Sequence, residues 1–322
     1  LRLAERAVDW CRHELQDSPA AQPFLDRIRV VDPSHPAVHR RLASQYREKG
    51  VFDAERDALH RALLRARHPG EKRQILLRLA AVEEERFQNL DEATLHYDAI
   101  LAFEPEDLES LRGLERIARL QRRFTKLAMV LERQVDVTRD TQERLGALLR
   151  LADLHEHYFL RPHLAAPRLE SALLLDPKNR AALEGLERCY RAQRDWNGLA
   201  NATERLAAVE SDPRVAVTVL LRLAEIHEEK RADFAAAAAA YQRVLAYDGA
   251  HRQALTALAR IEERRGDVHA AAEYKARLAD LAPTAKAAAL VHAGIGEMLA
   301  LGDRDPALAE RHYQQAVHLD PT

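Results

Sequence analysis

The sequence is short of sulfur, of aromatic side chains, of excess charge and of long apolar runs. Its two cysteines, Cys11 and Cys189, are too few and too far apart to form a disulfide framework or a thiolate metal site. Aromatic residues make up 5% of the chain, so a core has to be built from Leu, Ala, Val and Ile. The 49 Lys and Arg nearly cancel the 51 Asp and Glu, which leaves no overall attraction to nucleic acid or to an anionic membrane. No apolar stretch approaches the roughly 18 residues that span a bilayer, and the N-terminus shows no charged-then-apolar leader pattern. A Gly-rich phosphate loop, a GxSxG elbow, an HExxH pair and a CxxC pair are all missing. These absences predict a soluble chain, with the cytoplasm favoured, that is not an enzyme and has no catalytic, cofactor or metal site.

What is present is a period. Hydrophobic residues at 47%, charged residues at 31% and only 11 Gly and 13 Pro describe a folded, helix-favouring chain of 322 residues. The pairs Asp32-Pro33, Glu104-Pro105, Asp176-Pro177, Asp248-Gly249 and Asp320-Pro321 recur at a step of 72 residues. The same step carries Leu42, Leu114, Leu186 and Leu258; Phe52, Phe124, Trp196 and Val268; Leu79, Leu151, Leu223 and Ile295; Ala93, Ala165, Ala237 and Ala309; and Tyr97, Leu169, Tyr241 and Tyr313. Within one period, four apolar stripes at helical spacing are separated by helix-stop residues, which predicts four helices folded as two antiparallel hairpins. The periods run 1–72, 73–144, 145–216 and 217–288, with a partial one at 289–322. They predict a single continuous helical-repeat array over residues 1–322 without one central core.

The slots Leu223, Ala224, His227, Ala237, Tyr241, Val244 and Gly249, and Leu183, Leu186, Tyr190, Leu199, Thr203, Leu206 and Ser211, resemble the tetratricopeptide (TPR) repeat, in about nine units of roughly 36 residues. The first set has one residue more between its helices than the usual unit. Other helix-pair solenoids, half-a-TPR repeats among them, share a similar spacing. The resemblance, which extends to large bacterial TPR proteins, implies an all-α, right-handed superhelical solenoid in which the first helix of each unit lines a concave groove.

Polar groove positions alternate in sign. Upstream units offer Glu84 and Glu85, then Asp153 and Glu156, then Glu225, Glu228 and Glu229; downstream units offer Arg40 and Arg47, then Arg112, Arg116 and Arg119, then Arg188 and Arg191, then Arg260 and Arg264. Either these rows pair across adjacent helices and keep the groove soluble, or the arginines are forks for the carboxylates and carbonyls of a bound peptide. The Lys and Asn clamp that the family uses for chaperone tails is not matched by Leu149 and Asp153, Glu184 and Arg188, or Leu221 and Glu225. Expected partners are proteins or peptides in the groove, without nucleic acid and without membrane insertion. The competing role is a targeting arm for an enzyme whose catalytic domain lies outside these residues.

Several smaller expectations follow from single positions. His35 and His39 have the i, i+4 spacing of a two-ligand metal pair but no third ligand. His155 and His227 are expected at helix contacts, and Cys189 as a small buried hydrophobe. Gly294 and Gly296 are expected to permit close packing or to loosen their helix. In the run Ala235 to Ala240, the 72-residue alignment marks Ala237 as constrained by packing and Ala238, Ala239 and Ala240 as tolerant. The last packing helix, with Ala309, Tyr313, Ala316 and Val317, has no polar helix after it. A longer parent protein, a partner or self-association through this uncapped face is therefore expected.

Overall fold

A computed structural model describes residues 2–13, 19–301 and 305–321, and these contain α-helices and no strand. The α-helices run α1 (Arg2–His13), α2 (Gln22–Val31), α3 (Pro36–Glu48), α4 (Phe52–Arg65), α5 (Pro69–Val82), α6 (Leu90–Phe103), α7 (Leu108–Leu120), α8 (Phe124–Val137) and α9 (Thr141–Asp153). They continue as α10 (Pro162–Leu175), α11 (Arg180–Gln193), α12 (Trp196–Val209), α13 (Pro213–Glu225), α14 (Phe234–Tyr247), α15 (Arg252–Arg265), α16 (Val268–Asp280), α17 (Ala285–Leu301) and α18 (Pro306–Leu319). Two compact units divide the chain, Leu1–Leu151 and Ala152–Thr322.

In the first unit each helix from α1 to α7 packs on its successor. Its apolar side chains form successive small clusters: Val8, Leu25 and Ile28 with Val38; Leu59, Ala62 and Ile75 with Leu79; and Ala93, Tyr97, Leu111 and Leu114 with Val130. Each cluster is shared by neighbouring hairpins, so burial is divided among local interfaces. In the second unit the same order of neighbours holds from α10 to α18. There Leu169, Leu183, Leu186, Leu199, Leu220, Leu223, Tyr241, Leu255 and Leu258 are buried, and Ile295 and Leu299 pack with Ala272 and Ala309.

Helix ends follow the period. The recurrent aspartate of the Asp-Pro and Asp-Gly pairs accepts the backbone N–H two residues on, as Asp32 does from Ser34, Asp176 from Lys178 and Asp248 from Ala250, and so turns the chain out of the second helix. The next first helix is then capped by Asp107, Asn179 or His251, whose side chains accept from the N–H of Ser110, Ala182 and Ala254. The helices α3, α7, α11 and α15 stop at a left-handed residue, Gly50, Arg122, Arg194 or Gly266. The residue after it bonds back six positions, as in Val51 to Tyr46, counting both ends.

Helices α5, α9 and α13 end differently. Each is extended by a π-helical turn, at Glu83–Phe87, Leu154–Tyr158 and Ile226–Lys230, followed by left-handed Gln88, Leu160 and Ala232. The extra residue expected between the helices is thus absorbed within the end of the first helix.

The alanine run needs a correction. Ala237 is fully enclosed and Ala239 is exposed, as the alignment predicts, but Ala238 and Ala240 are buried, at 5% and 2% exposure. The reason is visible two periods back from Ala240, at His96, which meets the ring of His60 on the preceding second helix with centroids 5.8 Å apart. Second helices touch their own kind as well as first helices, so variety at this slot reflects varied neighbours and not solvent.

Ala240→Glu is therefore expected to destabilise the chain by about 2 kcal/mol or more, against about 0.5 kcal/mol or less for Ala239→Glu, read from urea midpoints. Arg194→Gly, which relieves a non-glycine residue at φ 58°, is expected to raise stability by about 1 kcal/mol in the same assay.

Candidate functional site

The π-turns carry the acidic residues of the upstream first helices: Glu84, Glu156 and Glu228 lie at a 72-residue step inside them. Each meets the arginine one hairpin further on. Arg116 grips Glu84 through Nε and Nη2, the latter at 2.6 Å, and Arg188 grips Glu156 at 2.7 and 3.0 Å. Arg260 reaches Glu228 at 2.6 Å. The hydrogen bonds to these carboxylates outweigh burial and raise the pKa of Arg116 and Arg188.

A second set of pairs faces the other way. Glu115 meets Arg150 at 3.0 Å in the first unit, and Glu187 meets Arg222 at 3.3 Å in the second. Glu115 also accepts from Gln134, and Glu187 from the Thr203 hydroxyl at 2.5 Å. Where the period puts Ala43 in place of this glutamate, Arg78 turns to buried Glu55 at 2.6 Å. Where it puts Ala259, the arginine's own slot is Gly294. At Ala43 the arginine is kept and takes another carboxylate, whereas at Ala259 both members are gone. Sequence reasoning missed this second ladder, although Arg78, Arg150 and Arg222 keep the 72-residue step.

The acidic and basic rows are thus brought together by neighbouring first helices. The carboxylates are tucked in, Glu84, Glu156 and Glu228 having 11%, 14% and 9% of their side chains exposed, while Arg116, Arg188 and Arg260 keep 53%, 51% and 53%. Arg112 pairs with Glu143 at 2.6 Å, Arg119 with Glu115 at 2.6 Å within its own helix, and Arg40 with Glu71 at 3.1 Å. Arg264 lies over the Phe234 ring at 5.4 Å, and Arg191 is exposed. Asp153 meets His157 at 3.0 Å, and Glu225 accepts from Gln253 at 3.2 Å.

Around the last of these pairs, Glu225, Glu228, Glu229, Arg252, Gln253, Thr256 and Arg260 surround a recess of about 590 Å³ that Tyr241 also lines. Burial, and then the Glu228 carboxylate, pushes the Tyr241 phenol up, so it stays neutral and its hydroxyl donates to Glu228 at 3.3 Å. A second recess, of about 670 Å³, lies in the first unit over Glu104, Glu106, Asp107 and Glu109, with Arg73 and Arg112 beside them. Arg73 is held there by Asp107 at 2.5 Å and Glu109 at 2.9 Å.

Among the described residues no group of three or more His, Cys, Asp or Glu is arranged to hold a metal ion. His35 is occupied on both nitrogens, with Glu5 Oε1 at 2.8 Å from Nε2 and the Ala37 N–H donating to Nδ1. His155 lies buried against the Phe159 ring, and His227 Nδ1 is 2.8 Å from Arg231. Cys189 is wholly enclosed, and burial pushes its thiol up to about 11. Gly296 packs under the Tyr313 ring, where a Cβ would come within 2.9 Å, whereas Gly294 has open space. No described helix is long and apolar enough to cross a membrane.

No family model matches this sequence, and no curated protein matches it. Solved structures similar to it include a tetratricopeptide repeat protein from Parabacteroides merdae, at 13% identity over 88% of this chain and 98% of that one, with a TM-score of 0.38. Others are the C-terminal part of a TPR repeat-containing protein from Cytophaga hutchinsonii (17%, 80% and 98%, TM-score 0.38) and YrrB, a TPR protein with an unusual peptide-binding site (13%, 57% and 90%, TM-score 0.37). The assignment of this chain rests on its own helices: consecutive hairpins, with the Leu, small and aromatic slots buried where the TPR pattern puts them, make it an all-α chain of TPR-like repeats.

A double-mutant cycle with Arg188→Ala and Glu156→Ala is expected to give a coupling of about 0.5–1 kcal/mol at low salt. Half of the guanidinium is in water, so the coupling should shrink as salt is raised, as urea titrations at two ionic strengths would show.

Proposed function

We propose that this chain is a non-catalytic scaffold that holds a segment of a partner protein against the charged face of its first helices. The observation that carries this reading is the asymmetry of the ion pairs: the carboxylate is enclosed and the guanidinium is half in solvent. Such an arginine is already oriented by its glutamate, so little side-chain freedom is lost when its open edge meets a carbonyl or carboxylate. In the first unit Arg112, Arg116 and Arg119 supply donors; in the second, Arg188, Arg191, Arg260 and Arg264 do, with Asp153 and Glu225 as acceptors beside them and Glu156 and Glu228 holding Arg188 and Arg260 in place. An extended or helical peptide with backbone carbonyls and mixed charge fits such a face better than a nucleic acid, whose phosphates the interleaved carboxylates would repel.

The recess at Tyr241 provides the test. Thr256 is exposed at its edge, and its hydroxyl bonds only to the Arg252 carbonyl of its own helix. Thr256→Trp fills the recess, and far-UV circular dichroism and urea midpoint should stay close to those of the parent. Protein partners crosslinked to the parent chain in native extract and identified by mass spectrometry should be lost with the variant. Retention of every partner would remove the recess from the binding face.

A further inference from the structure

Two histidines meet inside the α17–α18 hairpin. His292 of α17 and His312 of α18 bring their Nδ1 atoms to 3.1 Å, with ring centroids 5.3 Å apart and ring planes 24° from parallel. The difference between the two distances is the two imidazole radii, so both nitrogens lie close to the line joining the rings and point at each other. An imidazole nitrogen either donates or accepts. The approach therefore holds only while one Nδ1 carries a proton and the other does not.

Packing does not ask for this pair. One period earlier the slots of His292 and His312 hold Leu220 and Ala240, which are 1% and 2% exposed. The flanking slots keep their pattern, with Ile295 for Leu223 and Ala309 for Ala237, all buried. A polar contact thus stands where the neighbouring hairpin has an apolar one, and His292 within it is buried.

Both α16 and α18 pack on α17. On α16, Lys275 is taken by Glu263 and Arg277 donates to the Gly249 carbonyl at 2.7 Å, while His269, Glu273 and Asp280 are exposed. Lys286 and Glu297 of α17 and Arg311 and His318 of α18 are exposed, Asp305 caps α18 at Leu308, and Glu310 accepts from Gln314. Among the described residues no carboxylate forms an ion pair with either ring. Burial, and then the His292 ring, hold the His312 imidazole below its ordinary 6.5.

A first added proton goes to the outer nitrogen of the donor ring and leaves the N–H···N bond in place. A second has only the acceptor's Nδ1 left to occupy, where it sets two N–H groups and two positive charges head to head. We propose that His292 and His312 form an acid-sensitive latch: at neutral pH one N–H···N bond ties α17 to α18, and protonation of both rings releases the hairpin. The sign follows from linkage. A base held below its unfolded-state value binds protons more readily once the chain opens, so stability present above pH 6.5 is lost as the pH falls below it. The latch does not depend on the charged face of the first helices.

Histidine nitrogen NMR of the whole chain tests the bond, and hydrogen exchange tests its consequence. At about pH 7.5 the two Nδ1 nuclei should be coupled, with one ring protonated at Nδ1 and the other at Nε2. Two rings both protonated at Nε2 alone would overturn the bond. Between about pH 7.5 and about pH 5.5, opening of the α17 and α18 amides, corrected for intrinsic exchange, should rise about tenfold more than that of α11 and α12, which hold no histidine. His292→Leu with His312→Ala restores the apolar pair of α13 and α14 and should bring the two hairpins to the same pH response. No excess in the parent, or a variant that keeps it, would overturn the latch.

Discussion

The contact on which the rest of each unit depends is that between the large residue of a second helix and the small residue of the first helix that follows. At Gly113 an added Cβ would fall 2.4–2.7 Å from the Tyr97 ring, and at Gly185 it would fall 2.9 Å from Leu169. Such an approach fixes how near the two helices lie and leaves no freedom of register. Arg116 and Arg188 stand one turn beyond these glycines. Close packing therefore delivers each guanidinium to its glutamate, and the ion pair is a consequence of the apolar contact rather than its cause.

The π-turn is the second half of that geometry. A regular α-helix through residues 83–87, 154–158 or 226–230 would present different side chains to the neighbour, because one residue more or less rotates the face by about 100°. With the turn widened, Glu84, Glu156 and Glu228 point where the next hairpin's arginine arrives, and the tyrosines at 97 and 241 reach the same carboxylates through their hydroxyls. Widened turns are costly and persist where they position something. Here they position the acidic half of the ladder.

Much of this was legible beforehand, for a physical reason. Strict spacing of Leu, Ala and Tyr at 72 residues reflects helices that must interlock, and it located the hairpins, the constrained Ala237 and the buried Cys189. The charged rows were also visible, but their pairing was not, because partner identity depends on helix rotation, and rotation is set by a π-turn that leaves only one surplus residue in the sequence. Ala240 was misread as tolerant because its neighbour differs from repeat to repeat: where it is His96, it meets His60, and a varied partner looks in sequence like an open surface. The Arg78, Arg150 and Arg222 series could have been found from its step; its glutamates, Glu115 and Glu187, are fewer and gave a weaker signal.

The ladder gives each downstream first helix two different sides. Glu115 and Arg116 are adjacent in sequence yet serve different neighbours, and so do Glu187 and Arg188. Excision of the single hairpin α11–α12 would bring α13 to the place of α11, with Leu223 in the slot of Leu186, and Glu156 would face the residue in the slot of Arg188, which is Glu225. An enclosed carboxylate would then have lost its cation, while Arg222 would have lost Glu187. Removal of the two consecutive hairpins α11–α14 instead brings Arg260, the counterpart of Arg188, to Glu156. The unit within which the Glu84, Glu156 and Glu228 pairs repeat is accordingly the 72-residue pair of hairpins, even though each hairpin looks like a complete repeat.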